Sequence, residues 1–340
     1  MAENQIDTNG SAQTGFRVPV LGAGFWKRPE VTVGAIVALL LIVLLFGSPY
    51  FLSDTNIASL QTSMGPRIFV AIGMTVLFVT GTFDLSVGAT MGLAGLVVAA
   101  VLSAGYPAEY AIAAGLLTGI SVGVANGVMI AYIGLNPLIV TLGMLFVLRG
   151  IINLMIGGGR TQPWMYVSSE NVDLGFHAIG STYLAGIHIV FISAIVLALI
   201  VDIAFRHHSI GRSLFFAGDN PSAARSLGMP VRRIQAGAFV VCGLLAAVAG
   251  MFIVARTGLA SRHLGSGVEL EIIIACLIGG STIAGGKGSV LGSVLGVAFI
   301  TLVNNAFNLF EVASQWQKVV IGAVLIFVIV SDRWRTIRGS

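Results

Sequence analysis

Residues 68–104 read IFVAIGMTVLFVTGTFDLSVGATMGLAGLVVAAVLSA, and Asp84 is the only charged side chain among them. A helix needs about 20 apolar residues to cross a bilayer core of ~30 Å. This stretch is too long for one crossing and just long enough for two. The break must fall between Gly81 and Gly88, where small and polar residues gather. It is either a loop at the membrane edge or a bend inside the membrane.

The rest of the chain repeats the pattern. Apolar runs at 31–52, 64–83, 85–104, 110–133, 137–156, 184–205, 234–255, 268–285, 289–307 and 317–332 are the expected spans. The fold class is therefore an all-α, polytopic bundle of about ten membrane helices. Charged residues make up only 9% of the chain, against 56% hydrophobic residues and 44 glycines. A soluble domain carries about a quarter charged residues. Too little polar chain remains for a catalytic domain of ordinary size. Glycine suits membrane helices because it lets backbones approach closely.

Lys and Arg concentrate on one side of this topology. The loop 206–233 alone holds Arg206, Arg212, Arg225, Arg232 and Arg233. The positive-inside rule then places both chain ends in the cytoplasm and this loop inside. The net charge of +4 serves topology in this reading, not nucleic acid. Residues 1–28 are polar and read as a disordered cytoplasmic tail. Residues 29–333 form a single membrane domain, and 334–340 a second tail. No signal-peptide pattern opens the chain, so the first run is expected to stay as a helix. Cys242 and Cys276 lie inside apolar runs, without metal-ligand spacing.

The loop 206–233 is the most polar stretch after the N-terminal tail. Within it Asn220 is a good N-cap, Pro221 suits the first helical position, and Ala223, Ala224 and Arg225 favour helix. Gly228 suits the position just past the helix, and Pro230 blocks continuation. One short, self-capped helix is expected outside the membrane. It either lies on the protein's own surface or docks into a separate cytoplasmic subunit.

Ser222-Ala223-Ala224-x-x-x-Gly228 is similar to the EAA…G signature of ABC importer permeases, with Ser where Glu is typical. Four other stretches resemble the ribose/xylose/galactoside-type branch of those permeases. They are Gly81-Thr82-Phe83-Asp84-Leu85-Ser86-Val87-Gly88, Asn136-Pro137-Leu138-Ile139-Val140-Thr141-Leu142-Gly143, Gly279-Gly280-Ser281-Thr282-Ile283-Ala284-Gly285-Gly286-Lys287-Gly288 and Asn304-Asn305-Ala306-Phe307-Asn308-Leu309. The five occur in register over residues 31–332.

The resemblance implies a permease of the bacterial inner membrane that moves a monosaccharide or related polyol by alternating access. It implies three protein partners: a second permease copy, a cytoplasmic ATPase with ABC domains, and a periplasmic substrate-binding protein. ATP and magnesium would be bound by the ATPase, with no cofactor in this chain. Residues 280–288 lack the glycine spacing of a phosphate loop, and Gly288 stands where Ser or Thr follows the Lys. Gly211, Asn220, Pro221, Ala223, Ala224, Arg225 and Gly228 are the expected ATPase-coupling residues.

Candidate path residues are Asp84, Asn126, Asn304 and Asn305. Amide side chains offer donor and acceptor together, which matches a sugar hydroxyl; interhelical hydrogen bonding is the other reading. Asp84 is expected near the cytoplasmic edge, within reach of water. It either caps the following helix by accepting from Ser86 and Val87 N–H, or handles substrate or a proton. Glu269 and Glu271 open the eighth span, where acids suit the helix dipole. Arg149 lies within the fifth span and either snorkels or pairs with a carboxylate. The rows Gly88, Gly92, Gly95 and Gly288, Gly292, Gly296 suggest two related halves with broken helices. A branched-chain amino acid permease and an ion-coupled secondary transporter are the competing readings; a membrane enzyme would need a nucleophile–base pair or metal set, and none is visible.

Overall fold

The computed structural model describes residues 29–157, 164–166, 174–313 and a scatter of residues from 315 to 330. The two tails and half of the tenth expected span lie outside the described residues. The elements in chain order are α1 (Pro29–Gly47), α2 (Asp54–Val79), α3 (Val87–Ser103), α4 (Ala108–Gly127), α5 (Pro137–Ile156), β1 (Trp164–Tyr166), α6 (Leu174–Ser181), β2 (Tyr183–Leu184) and β3 (Ile187–His188). There follow α7 (Ile189–His207), α8 (Ser209–Asp219), α9 (Pro221–Ser226), α10 (Val231–Thr257), β4 (Leu259–Ser261), α11 (Val268–Ile278) and α12 (Val290–Leu309). A π-helical turn, Val128–Tyr132, extends α4.

Among the described helices, 7 are long and apolar enough to cross a membrane. The all-α polytopic bundle expected from the apolar runs is what the chain forms. Large apolar side chains stand exposed on the outer helices, such as Phe46 of α1, Phe146 of α5 and Ile203 of α7. Lipid or a partner helix accounts for such surfaces, and water does not.

The buried centre is α2, α3 and α10. Helix α10 packs against α4, α2 and α3. Its seam with α4 is made by Gly115, Gly119, Gly123 and Gly127, one every fourth residue. A Cβ at Gly119 would stand 2.6 Å from the Ala247 Cβ, and one at Gly123 2.8 Å from the Val240 Cα. Only hydrogen at these positions lets the two backbones touch.

The break at Gly81–Gly88 is real. Helix α2 stops at Val79, residues 80–86 are non-helical, Gly81 takes φ 77°, and α3 begins at Val87. Helix α2 also begins ten residues before the expected span. The Ser53 hydroxyl accepts the Asn56 N–H at 3.3 Å and starts the helix in polar sequence that hydropathy alone passes over. The eighth span is shorter than the expected 268–285. Helix α11 stops at Ile278, because Gly280, Gly285 and Gly286 take φ of 97°, 90° and 69°, which end regular helix. At 1.5 Å per residue α11 is about 17 Å long, near half a bilayer core.

A third irregular segment, 262–267, joins β4 to α11. Gly250 of α10 packs on Met91 and Gly95 of α3. Gly88, further back along α3, is thus level with roughly the middle of α10, itself about 40 Å long. Gly265 lies directly on Gly88, backbone to backbone. The chain leaves the end of α10, dips to mid-bundle at Gly265, and continues as α11 toward the face that carries α8 and α9. Both glycine rows make room for a neighbouring backbone. Gly88 and Gly92 press on residues 264–269, and Gly292 and Gly296 on Gly279 and Ala275.

Candidate coupling and translocation site

The site begins where α7 ends. The Asp202 carboxylate accepts from Arg206 Nε at 2.6 Å, one turn before the helix terminus. The His208 ring nitrogen then accepts the Ile210 N–H at 3.2 Å and caps α8. The sequence predicts a single helix in this loop; α8 is a second one. It turns Gly211 onto the Phe205 backbone, Phe215 edge-on to Phe205 at 5.5 Å, and Ala217 and Gly218 into the protein.

Helix α9 is the expected self-capped helix. Asn220 Oδ1 accepts the Ala223 N–H at 3.0 Å, and Pro221 opens the helix. The Gly228 N–H reaches Arg225 O at 2.9 Å and Met229 N–H reaches Ala224 O at 3.0 Å, with Gly228 at φ 77°. Ala224 is fully buried against Ala217 and Val231. Outward stand Leu227, 71% exposed, with Arg225 and Ser226; Ile210 and Arg212 extend this face along α8. A cleft of about 630 Å³ lies between α8, the turn at 227–230 and α10, and is lined mainly by apolar groups. Asn220→Ala is expected to cost about 1 kcal/mol of local helix stability. Faster tryptic cleavage after the exposed Arg225 would report it, and Asn220→Asp should restore protection.

The C-terminal end of α8 meets both neighbouring breaks through backbone alone. Gly218 presses on the Val79 carbonyl. The Gly286 N–H donates to that same Val79 O at 3.0 Å. A Cβ at Gly285 would stand 2.7 Å from the Gly81 Cα and 2.8 Å from Gly218 O. Gln235 of α10 adds a side-chain bond to Thr80 O at 3.3 Å. Four chain passes thus converge: the end of α2, the end of α8, the loop before α12, and α10. Backbone contact thus links α8–α9 to the end of α2 and to the 279–289 segment.

Asp84 lies a few residues beyond this hub. Its Oδ1 accepts from the Ser86 N–H at 2.7 Å and the Ser86 hydroxyl at 2.6 Å; its Oδ2 accepts from Asn126 Nδ2 at 3.2 Å. Two expectations need correction. Asp84 is 1% exposed, not open to water at an edge, because α4 closes over it with Asn126. Of the two backbone donors expected, Ser86 is engaged; Val87 is already inside α3, whose cap residue is Ser86. Asn126 is wholly buried, and its Oδ1 has no partner among the described residues.

Asp84 and Asn126 are together, while Asn304 and Asn305 are elsewhere. Asn305 Nδ2 donates to Asn56 Oδ1 at 2.6 Å, and Asn56 Nδ2 returns a bond at 3.3 Å. Asn56 opens α2, about 35 Å by helix rise from Val79 at its other end. Asn304 Oδ1 is buried without a partner among the described residues. The Val79–Gly218–Gly286 contact is not readable from sequence. Gly286 stands in a quoted motif and Gly218 does not, and backbone proximity leaves no trace in residue type beyond the glycine itself. Ser86 binds Asp84 through its hydroxyl as well as its N–H, and only the N–H is expected from a capping pattern.

A sequence pattern described as "Branched-chain amino acid transport system / permease component" matches residues 56–329, a range that contains all five motifs. Among curated proteins, the chain is similar to the autoinducer 2 import system permease protein LsrC of Salmonella typhimurium, 33% identical over 301 residues, 87% of this chain and 84% of that one. The protein of the same name from Escherichia coli K12 is 33% identical over 303 residues, covering 87% and 86%. No solved structure matches. The helices that can cross a membrane, the motifs in register and these extended likenesses agree: the chain belongs to the branched-chain amino acid transport system permease family and is a multi-pass inner-membrane permease.

Proposed function

We propose that this chain is the membrane subunit of an ABC importer for a sugar-like molecule, driven by an ATPase on a separate chain. The observation that carries the reading is the hub at Gly218. A solvent-exposed, self-capped helix pair is tied by backbone contact to two breaks in membrane helices. That is the arrangement expected of a part that receives force on one side and changes helix packing on the other. The exposed Ile210 and Leu227, with the exposed Arg212, Arg225, Arg232 and Arg233 in the same stretch of chain, suit a partner surface with an apolar pocket and an acidic rim. The face carrying α8 and α9 is cytoplasmic in this reading, and both chain ends lie on that side. A second permease copy completes the path, and a periplasmic binding protein delivers substrate to the opposite face.

For the substrate, the relatives named as importers of autoinducer 2 support a small hydroxylated molecule; a monosaccharide or polyol is the finer proposal. The family description supports a second reading, a branched-chain amino acid.

The test expresses the chain with its candidate ATPase and binding protein. Leu227→Glu, on the exposed face, is expected to abolish co-purification of the ATPase and uptake together, with the permease still in the membrane. Unchanged co-purification and uptake would sink the docking assignment. Competition of uptake by L-leucine but not by D-ribose would move the substrate to the second reading.

A further inference from the structure

The half of the bundle away from the hub holds charged side chains that the coupling site does not use. Arg67 of α2 donates to Glu271 of α11 at 3.0 Å, an ordinary ion pair. Arg149 behaves differently. It sits within α5, half-buried, and has no carboxylate within salt-bridge distance among the described residues. Its Nη1 donates instead to two backbone carbonyls, Leu264 O at 2.9 Å and Arg262 O at 3.3 Å. Both belong to the 262–267 segment that dips to mid-bundle.

The surroundings are built to admit this contact. Gly92 of α3 lies beneath it; a Cβ there would strike Leu264 O and come within 3.5 Å of Arg149 Nη1. Gly88 gives the same clearance to Gly265 and the Glu269 carboxylate. Yet the contact is incompletely satisfied. Arg149 Nη2 and Glu269 Oε2 are both buried without a partner among the described residues. A buried arginine with a purely structural role is normally saturated, since orphaned charged groups are costly. Here a donor of one group and an acceptor of the other stand idle, and the two groups lie over Gly92 and Gly88, one turn apart on α3. The two bonds that tie the segment's carbonyls to α5 both come from this one flexible side chain, so that tie is releasable.

We propose that Arg149 is the latch of a gate: it holds residues 262–267 down on α3 and so closes the bundle at mid-depth from the side opposite α8. Opening frees the two carbonyls and lets Arg149 and Glu269 meet each other or a passing hydroxyl. The proposal rests on the reading of the chain as a permease, but its test reads the latch without transport.

The test uses the assembled importer in nanodiscs. A cysteine replaces Leu264, which is half-covered by α3, and a second variant carries one at Ser213 of α8 on the opposite face. The native Cys242 and Cys276 are buried and give a low background. Maleimide labelling rates are compared with and without Arg149→Gln. Loss of both charge-assisted bonds is expected to speed labelling at position 264 about tenfold and to leave position 213 unchanged. Arg149→Lys, which keeps the charge but not the planar, directed N–H donors, should fall between. Equal rates at 264 overturn the proposal, and so does a parallel rise at both positions, which would signal general loosening. If Arg149→Gln does not assemble, Arg149→Lys decides by the same comparison. Absence of ATP-dependent uptake by the wild-type assembly, with the labelling pattern intact, would count against the transport reading and leave the latch standing.

Discussion

Gly218→Val is expected to abolish uptake while leaving the ATPase bound. Any side chain at this position overlaps the Val79 carbonyl and comes within 3.0 Å of Gly286 N. Neither neighbour is a flexible side chain that can swing aside; both are backbone. The three segments must therefore separate, and the Gly286–Val79 hydrogen bond is the first casualty. Forced overpacking of this kind costs about 1–3 kcal/mol, or roughly a five- to 150-fold shift between conformations. The exposed face of α9 is untouched, so co-purification should survive. Uptake falling at least tenfold with the ATPase still bound and hydrolysing ATP would mark the hub as the transmission point. Wild-type uptake would mean that force travels by another route. Gly218→Ala should show a weaker form of the same defect.

The second large effect is expected at Asp84. Asp84→Leu removes the acceptor for the Ser86 N–H, the Ser86 hydroxyl and one Asn126 N–H, at a site closed to solvent. Each donor orphaned in a dry interior costs about 1–3 kcal/mol, and native proteins have little stability to spare. The amount of folded permease should drop below about a tenth of wild type, measured by fluorescence-detected size exclusion. Asp84→Asn keeps an acceptor and nearly the same shape, so it should fold. Its uptake then separates two roles. Near-normal uptake makes Asp84 a structural cap. Normal assembly with lost uptake makes the acid itself a working part of the path.

How much of the molecule is legible in sequence follows from what each feature depends on. Apolar runs report lipid contact directly, and so the helices that cross, the break at 81–88 and the α5 boundaries at Pro137 and Ile156 can be read. Caps depend on residues a few positions apart, so α9 with Asn220, Pro221 and Gly228 is legible too. The start of α2 is not, because hydropathy ignores a polar first turn held by Ser53. The end of α11 is missed because residues 279–285 carry no charge and pass as the continuation of an apolar run, while positive φ at their glycines is a conformational fact. At the site, Asp84 and Asn126 each stand out, but their bond joins residues 42 positions apart and needs coordinates. The amide pair Asn56–Asn305 spans 249 positions, and Asn56 carries no signal of its own.

The glycine seam between α4 and α10 has a mechanical consequence. Side chains that interlock fix two helices in one register, since sliding demands that every knob leave its hole. Gly115, Gly119, Gly123 and Gly127 present no knobs to α10. Their spacing is also its own translation: a shift of four residues, about 6 Å along the axis, puts glycine opposite α10 again at three of the four places. The seam therefore resists pulling apart, because the backbones are in contact, and resists gliding far less. In a machine that must rearrange helices without exposing their polar backbone to lipid, α4 and α10 form a rail.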